Sequence, residues 1–302
     1  MNNIMRKLNL ILFAMGIILG LFSCKQKGKL VPRPNHVVVI IYENHKYSQI
    51  LNSRYAPFIT SLMKDAAVFT NSHGVIHPSQ PNYLAFYAGS VQNITDDKCL
   101  DSVTPFTTKN LGASLIQKGF TFKGYAQGLP EIGSKICKDS LSAITGGTVY
   151  GRKHCPWINW QGDKENNIPD SLSLPMTYFP RDFDQLPTVS FVIPDMDNDM
   201  HNIGRPGDSA AIARGDNWLK DNMSNYIDWA KKHNSLLIFT FDEDDFTAEN
   251  RIPTLFIGEQ VKPGKYNERI DHFDVLRTIE KMYDLPNSAQ DTSAHAITDV
   301  WK

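Results

Sequence analysis

The sequence predicts an α/β fold in which helices cover a buried, largely parallel sheet. The first observation is a set of continuous apolar runs rich in β-branched residues, a pattern typical of strands buried on both faces. These runs lie at 37–41, 120–125, 188–193, 235–241 and 253–257. The second observation is that helical stretches alternate with the runs, as in layered α/β proteins. These stretches lie at 55–65, 111–118, 208–232 and 272–283.

The composition of the chain excludes several classes of protein. Of its 302 residues, 41% are hydrophobic and 21% are charged, so the chain can bury a sizeable core and is too apolar to be disordered as a whole. Its 31 Lys and Arg residues nearly balance its 32 Asp and Glu residues. This balance gives no overall attraction to nucleic acid or to an anionic membrane, and we expect no nucleic-acid binding. Any partner must therefore be recognised at a local site.

The amino-terminal segment predicts export. Arg6 and Lys7 precede an apolar run over 8–22, and its roughly 15 residues are fewer than the roughly 20 that a membrane-spanning helix needs. The pattern is typical of a secretory signal peptide covering residues 1–23. The Leu-Phe-Ser-Cys string that ends at Cys24 resembles a bacterial lipoprotein signal, which implies a lipid anchor on Cys24 in the cell envelope, at the periplasm or the cell surface. A plain cleaved signal and an uncleaved anchor are the alternatives.

The rest of the chain is predicted to form a short linker and one domain. Residues 24–34 contain Lys, Gly and Pro with little apolar content, which indicates a flexible tether. We expect a single domain over 35–302, because no internal repeat is visible. Within it, residues 139–182 are rich in Gly, Pro, Asn and aromatic residues without a clear period, and we expect them to form a long excursion over one rim.

The cysteines fit an exported protein. Beyond Cys24 the chain has three, and an oxidising compartment would allow two of them to form a disulfide. Cys137 is expected to pair with either Cys99 or Cys155, and the spacing does not choose between them. No Cys or His spacing indicates a structural zinc site.

Chemically reactive side chains follow the predicted strands. In open α/β sheets, ligands bind beyond the carboxyl ends of the strands. Four such ends carry oxygen or imidazole donors: Glu43 with Asn44, the run from Asp195 to His201, Asp242 with Glu243, and Asp271 with His272. Each cluster alone would also fit an exposed turn, but their coincidence at successive strand ends favours a shared site. Carboxylates this close would repel one another unless a cation neutralised them, so the sequence predicts a divalent metal site.

A serine lies at the start of a further predicted helix. Pro81, followed by a helix-compatible run, indicates a helix that begins near Ser79, with Ser79 as its cap and Pro81 in its first turn. The serine oxygen would then lie beside free backbone N–H groups that favour a phosphate, and contact with a metal would make it a usable nucleophile. The alternative is a purely structural cap. A metal-free serine hydrolase is disfavoured, because Gly-x-Ser-x-Gly is absent and the acidic strand ends would be unexplained.

Together these motifs resemble the phosphoesterase family of bacterial and fungal acid phosphatases and phospholipases C, within the alkaline phosphatase superfamily. The resemblance covers almost all of the chain after the tether. Its specific strings are His-Pro-Ser-Gln-Pro-Asn-Tyr at 77–83 and Asn-Asp-Met-His at 198–201, and supporting strings lie at 42–45, 150–156, 215–219, 240–243, 271–272 and 276–280. One departure is Cys155, where the family usually has asparagine. The resemblance implies a three-layer αβα sandwich with a largely parallel central sheet.

The resemblance also implies roles for individual residues. Ser79 would attack phosphorus to give a phosphoserine that water hydrolyses, and Asn82 would donate to a phosphate oxygen, with Lys153 or His154 doing likewise from the rim. One or two divalent cations are implied. The ligands of the first would be Glu43, Asn44, Ser79, Asp242 and Glu243. His272, with Asp199 and the catalytic candidate His201, would ligate a second cation or position phosphate and water. Seven more side chains are expected to lie behind the ligands or at the surface, without direct contact to the metal or the substrate: Asp195, Asp197, Asp244, Asp245, His45, His73 and His77.

The function predicted from these features is that of a metal-dependent phosphoric ester hydrolase, an acid phosphatase acting on phosphomonoesters. One alternative is a phosphodiesterase of the phospholipase C type. Family members of that type are typically longer than this domain, which favours a small monoester. The other alternative is a non-catalytic surface lipoprotein that binds a phosphorylated ligand. The presence of Ser79, Glu43, Asp242 and His272 together favours an enzyme.

Overall fold

The computed structural model describes residues 31–302. The predicted signal peptide 1–23, the lipidation at Cys24 and most of the tether 24–34 lie outside the described residues and stay predictions. At the start of the described chain, Arg33 donates to the main-chain oxygen of Met282 at 3.0 Å. No helix within 31–302 has the length and apolar character needed to cross a membrane.

A nine-stranded sheet forms the centre of the molecule, and a two-stranded hairpin lies outside it. The strands are β1 His36–Tyr42, β2 Ala67–His73, β3 Phe122–Ala126, β4 Lys138–Leu141, β5 Thr148–Gly151, β6 Ser173–Pro175, β7 Val189–Ile193, β8 Ser235–Phe241, β9 Arg251–Gly258, β10 Gly264–Tyr266 and β11 Ile270–Asp271. Their order across the sheet is β10-β2-β9-β8-β1-β7-β3-β6, with β11 beside β2, while β4 and β5 form the hairpin. Strand β9 is antiparallel to both of its neighbours, and the remaining pairs in the sheet are parallel.

Helices cover both faces of this sheet. They are α1 Tyr47–Ile50, α2 Pro57–Leu62, α3 Ser79–Ala88, α4 Leu111–Gln117, α5 Asp208–Ala230 and α6 His272–Met282. Alternate residues of β1 point to opposite faces: Val37 and Val39 join a core with α3, α4 and α6, whereas Val38 and Ile40 join a core with α1, α2 and α5. Because both faces are buried, the strand sequences read as continuous apolar runs. The predicted three-layer αβα sandwich with a largely parallel sheet is confirmed.

The predicted parallel arrangement is wrong for one strand. The run 253–257 lies in β9, which is antiparallel to β8, so its carboxyl end lies at the sheet edge opposite the carboxyl end of β8. The chain returns through β10 and β11, which are parallel to β2, and β11 leads into His272. Strand β2 was missed in the sequence because only its first three residues are apolar, and its pairing with β9 shifts register between Phe69 and Ser72.

The predicted excursion over 139–182 contributes more to the fold than a rim loop would. It holds β5, most of the hairpin strand β4, and the edge strand β6. It also places the Trp157 ring against β3, where a Cβ on Gly124 would lie 2.1 Å from that ring. Only glycine fits at this close approach. Within residues 31–302, a disulfide joins Cys99 to Cys137, and Cys155 is free and buried.

Candidate active site

The carboxyl ends of several parallel strands bring the predicted site residues to one edge of the sheet. Glu43 and Asn44 follow β1, Asp242 and Glu243 follow β8, Asp199 and His201 lie beyond β7, and His272 follows β11. The segment after β2 leads through a cis His77–Pro78 peptide into α3 and Ser79. Of these elements, β1, β7, β8 and the helix α3 were predicted from the sequence, whereas β2 and β11 were not.

Ser79 is the first residue of α3, and all ten residues of this helix are buried. Pro78 occupies the cap position and no side chain caps the helix, so the prediction that Ser79 is the cap is wrong. The Ser79 hydroxyl is therefore not used to cap the helix. Ser79 Oγ lies 2.9 Å from Glu43 Oε2 and 3.3 Å from Glu243 Oε1. A hydroxyl carries one proton, so it donates to one of these carboxylates at a time, and its lone pairs remain available.

Glu43 is fully buried at the end of β1 and begins a chain of charged groups. Its Oε1 lies 3.0 Å from His154 Nε2, and His154 Nδ1 lies 3.1 Å from Asp199 Oδ2. Burial opposes a charge on His154, but the Glu43 carboxylate outweighs it and raises the pKa of His154 to about 9. Burial also opposes a charge on Glu43, but His154 and Lys153 hold the pKa of Glu43 below its usual range. This pair is therefore ionised at neutral pH.

The pKa values of Asp242 and Glu243 shift in the opposite direction to that of Glu43. Burial, reinforced by the charges of Glu43 and Glu243, raises the pKa of Asp242 well above its usual range. Burial and the Glu43 charge raise the pKa of Glu243 to about 8. Three carboxylates thus share a small volume that does not hold enough positive charge for all of them. A cation at this point would allow all three to ionise.

Unpartnered oxygen atoms at the ends of β1 and β8 are suitable ligands for a metal ion. Asp242 Oδ2 and Asn44 Oδ1 are buried and have no hydrogen-bond partner among residues 31–302. Leaving such atoms unpaired in a protein interior is costly, and hard oxygen donors are the ligands that divalent cations such as Mg²⁺ and Ca²⁺ prefer. Glu43, His154 and His201 also offer ligand atoms within 4.8 Å of one another. The donor set therefore fits the predicted divalent metal.

Asn82 and His77 support the serine from α3 and the loop before it. Asn82 Oδ1 accepts from the main-chain N–H groups of Val75 and Ile76, while Asn82 Nδ2 lies 3.3 Å from Glu243 Oε2. The Asn82 amide thus reaches the same carboxylate as Ser79. His77 Nδ1 lies 2.7 Å from Glu243 Oε2, so His77 contacts a predicted metal ligand.

His272 lies at the back of the site. Its Nε2 is 2.6 Å from the main-chain oxygen of Asp242, and its ring stacks on Phe86 with centroids 5.6 Å apart. Burial lowers the pKa of His272, so its ring is neutral at neutral pH. The described contacts connect His272 to the main chain of Asp242, whereas its predicted partners Asp199 and His201 contact His154 and Lys153 instead.

Lys153 connects the carboxylates to a cavity beside them. Lys153 Nζ lies 3.2 Å from His201 Nε2 and 2.8 Å from Asp97 Oδ2. The other oxygen of Asp97 accepts from the main-chain N–H of Gln80, the residue after Ser79. Asp97 was missed in the sequence because it follows no predicted strand and belongs to no motif.

We name this space the lateral cavity, and its volume is about 390 Å³. Its walls come from four separate parts of the chain. They are Gln80, residues 97–100, residues 137–138 with 147–148 and 151–153, and the residues Met196, His201 and Asn202. Burial lowers the pKa of His201 to about 4, so its imidazole is neutral.

The sandwich, with a serine and carboxylates at its strand ends, has an alkaline phosphatase-like fold. A protein of the alkaline phosphatase superfamily from Vibrio parahaemolyticus has a similar fold, with a TM-score of 0.56 over 85% of this chain and 68% of its own, at 13% identity. A phosphonate monoester hydrolase from Silicibacter pomeroyi has a TM-score of 0.53 over 87% of this chain and 76% of its own, at 10% identity. At these identities the likeness concerns the fold alone.

The sequence identifies the family. The model of the Phosphoesterase family matches residues 48–286, and the chain belongs to this family. It is 42% identical over 273 residues to a phosphatidylinositol-3-phosphatase from Mycobacterium tuberculosis, covering 90% of this chain and 84% of the relative. It is 26% identical to a probable acid phosphatase from Kluyveromyces lactis, covering 82% of this chain but only 58% of the relative. The predicted family is confirmed, and the chain is a phosphoester hydrolase.

Proposed function

We propose that this phosphoester hydrolase is a metal-dependent phosphomonoesterase of the acid phosphatase type and that Ser79 is its nucleophile. One observation carries the proposal. The Ser79 hydroxyl is free of any capping role and lies within 3.3 Å of the carboxylates of Glu43 and Glu243, at the two strand ends that also carry the unpartnered oxygens of Asn44 and Asp242. A serine so placed has its oxygen among metal-ligand atoms, which is what an activated hydroxyl nucleophile requires.

The residues that would hold the cation are Glu43, Asn44, Asp242 and Glu243, together with Ser79 Oγ. The neutral imidazole of His201, with Asp199, would serve a second cation or the phosphate, and the protonated His154 would contact the phosphate. When bound, a divalent cation supplies positive charge that neutralises the carboxylates, lowers the pKa of the serine hydroxyl and stabilises charge on phosphate oxygens.

The protein's own groups account for the rest of the reaction. Ser79 Oγ gives up its proton and forms a bond to phosphorus, while the bond between phosphorus and the alcohol oxygen breaks and the alcohol leaves with a proton. Water then hydrolyses the phosphoserine and releases phosphate. The Asn82 amide, the His154 imidazolium and the Lys153 ammonium all donate hydrogen bonds, so they would stabilise the charge that develops on the phosphate oxygens.

The relatives suggest which monoesters to test. The mycobacterial relative is named a phosphatidylinositol-3-phosphatase, so phosphatidylinositol 3-phosphate is one candidate substrate. The fungal relatives are named acid phosphatases, which favours small soluble monoesters. Both candidates are phosphomonoesters, and both require the same chemistry at Ser79.

We also propose that the protein is exported and anchored in the cell envelope through a lipid on Cys24. The basic and apolar residues before Cys24 support this location. The Cys99–Cys137 disulfide supports it too, because disulfides persist mainly in oxidising compartments. Labelling cells with a radioactive fatty acid would test the anchor: label on the wild-type protein and none on Cys24→Ala is expected, and equal label on both would refute it.

The catalytic proposal is tested with p-nitrophenyl phosphate as the substrate. We expect a chelator to suppress hydrolysis, added divalent metal to restore it, and Ser79→Ala to abolish it. Ser90→Ala provides a matched control, because Ser90 lies just beyond the other end of α3 and its hydroxyl accepts from the main-chain N–H of Gln92, away from the carboxylates. Full activity of Ser79→Ala, or full activity after metal removal, would refute the proposal. Bis-p-nitrophenyl phosphate as a better substrate would favour a phosphodiesterase, and bound metal without any turnover would favour a non-catalytic binding protein.

A further inference from the structure

The lateral cavity adjoins the site of the proposed reaction. Gln80, the residue after Ser79, lines it, and so do Lys153 and His201. A phosphate held at Ser79 would therefore have its ester oxygen and the attached alcohol next to this space. The volume of about 390 Å³ is large enough for a substituted ring.

The cavity wall is cationic although the whole chain is not. Its charged lining residues comprise one carboxylate, Asp97, and four cations: Lys98, Lys138, Arg152 and Lys153. Over the whole chain the formal net charge is only -1. The positive charge beside the site is therefore confined to the cavity wall.

Three of these four cations already have a carboxylate partner. Lys98 pairs with Asp96 at 2.8 Å, Arg152 with Asp101 at 2.5 Å, and Lys153 with Asp97 at 2.8 Å. Lys138 forms no ion pair within the part of the chain that the structure describes. The unbalanced positive charge of the cavity thus belongs to Lys138.

The backbone fixes Lys138 at a defined place in the wall. It is the first residue of β4, directly after the disulfide-bonded Cys137, and it pairs across the hairpin with Gly151. Gly151 is two residues before Lys153. Lys138 and Lys153 therefore belong to adjacent parts of one cavity wall. Leu100, Met196 and the disulfide supply apolar surface to the same cavity.

We propose that the lateral cavity binds the alcohol part of the substrate and that Lys138 recognises a second anionic group on that alcohol. This inference rests on the proposed phosphomonoesterase function. Lys153 would meet the phosphate that is removed, Lys138 would meet the second anion, and the apolar wall would contact the carbon skeleton between them. The substrate class is then a phosphomonoester whose alcohol also carries a phosphate or a phosphodiester. A lipid headgroup and a soluble bisphosphate both have this chemistry.

The test compares three substrates that differ only in the second group. They are inositol 3-phosphate, inositol 1,3-bisphosphate and glycerophosphoinositol 3-phosphate. We expect the wild-type kcat/KM to be about tenfold higher for at least one of the last two, because a hydrogen bond to a charged group contributes on this scale. A preference for the glycerophosphoinositol compound identifies a lipid headgroup as the source, and a preference for the bisphosphate identifies a soluble ester.

Variants of Lys138 make the test specific. Lys138→Met should bring the ratio of kcat/KM between the second-anion substrates and inositol 3-phosphate down to about one, and Lys138→Glu should bring it below one. Lys118→Met is the matched control, because Lys118 is exposed at the end of α4 and lies outside the cavity, so it should keep the wild-type ratio. Both Lys138 variants should fold, since this side chain is exposed on the outer hairpin.

Two results would overturn the inference: a wild-type enzyme without any preference, or a preference that survives in both Lys138 variants. Either result leaves the proposed function intact if p-nitrophenyl phosphate is still hydrolysed through Ser79. Failure to hydrolyse any monoester would instead refute the proposed function itself.

Discussion

The carboxylates around Ser79 and the lysines of the lateral cavity lie on two sides of one site, yet the two sides are built differently. Glu43, Asp242 and Glu243 come directly after β1 and β8, two neighbouring strands at the centre of the sheet. Lys98, Lys138 and Lys153 come from a loop, the outer hairpin and the turn after it. The acidic side is thus placed by the core of the fold, and the cationic side by segments outside the sheet.

The two sides therefore need different support. Hydrogen bonds between paired strands hold the acidic side, so carboxylates that repel one another still stay together. The cationic side depends on cross-links between segments: the Cys99–Cys137 disulfide, the Arg152–Asp101 ion pair, and Asp97 between Lys153 and the start of α3. We infer that the acidic side carries the chemistry and that the cationic side sets affinity and substrate choice. Three variants test this division.

The largest effect is expected from Asp242→Asn on the acidic side. Loss of this proposed metal ligand should reduce kcat by about a thousandfold, the scale found when a group that stabilises developing charge is removed. The metal-free variant should be at least as stable as metal-free wild type, because the substitution removes a buried carboxylate whose pKa burial raises. Kinetics with p-nitrophenyl phosphate and urea unfolding in chelator measure the two quantities.

Metal binding gives a second readout for the same variant. Metal at 100 times its Kd should stabilise the wild type by about 2.7 kcal/mol and should stabilise Asp242→Asn much less. Asp245→Asn is the control, because Asp245 lies in the same loop but pairs with Lys46 at 2.9 Å. Equal stabilisation of Asp242→Asn and the wild type would contradict the metal site.

A smaller effect is expected from Asp97→Asn on the cationic side. An asparagine cannot replace the carboxylate that holds Lys153, so KM for p-nitrophenyl phosphate should rise about tenfold while kcat changes less. If Asp97 acts through Lys153, the double variant with Lys153→Met should be no worse than Lys153→Met alone. The kinetic constants of the two single variants and the double variant provide the measurement.

Asp65→Asn is the control for Asp97→Asn. Asp65 also pairs with a lysine, Lys231, at 3.2 Å, and its side chain is exposed to a similar degree, 38% against 32%. It lies by α2, in the opposite layer. Strictly additive effects of Asp97→Asn and Lys153→Met would show that Asp97 does not act through Lys153.

The smallest effect on catalysis is expected from removing the disulfide with Cys99→Ser and Cys137→Ser together. The free energy of unfolding should fall by about 2 to 4 kcal/mol, as is typical when a native disulfide is lost. Because the bridge supports the cavity wall and not the carboxylates, KM should rise by a few-fold while kcat stays close to the wild-type value. Cys155→Ser leaves the bridge intact and serves as the comparison. A fall in kcat without a change in KM would contradict the division between the two sides.

The same difference explains how much could be predicted from the sequence. Glu43, Asp242 and Ser79 follow strong local patterns, a buried strand or the start of a helix, so their meeting at one edge follows from the fold class. Asp97 and Lys138 meet their neighbours only through contacts between segments far apart in the chain. The hydrophobic periodicity of a sequence gives no information on such contacts. For the same reason the sequence left open whether Cys137 pairs with Cys99 or Cys155. The direction of β9 was missed for a similar reason, since a strand buried on both faces looks the same in either direction.

In the proposed reaction, Ser79 receives the phosphoryl group. The most direct measurement is to quench the enzyme in acid during turnover of a radiolabelled phosphomonoester and to map the label by peptide analysis. We expect label on Ser79 in the wild type and in Ser90→Ala, with neither label nor hydrolysis in Ser79→Ala. Label on another residue, or hydrolysis by Ser79→Ala at the wild-type rate, would contradict the proposed reaction.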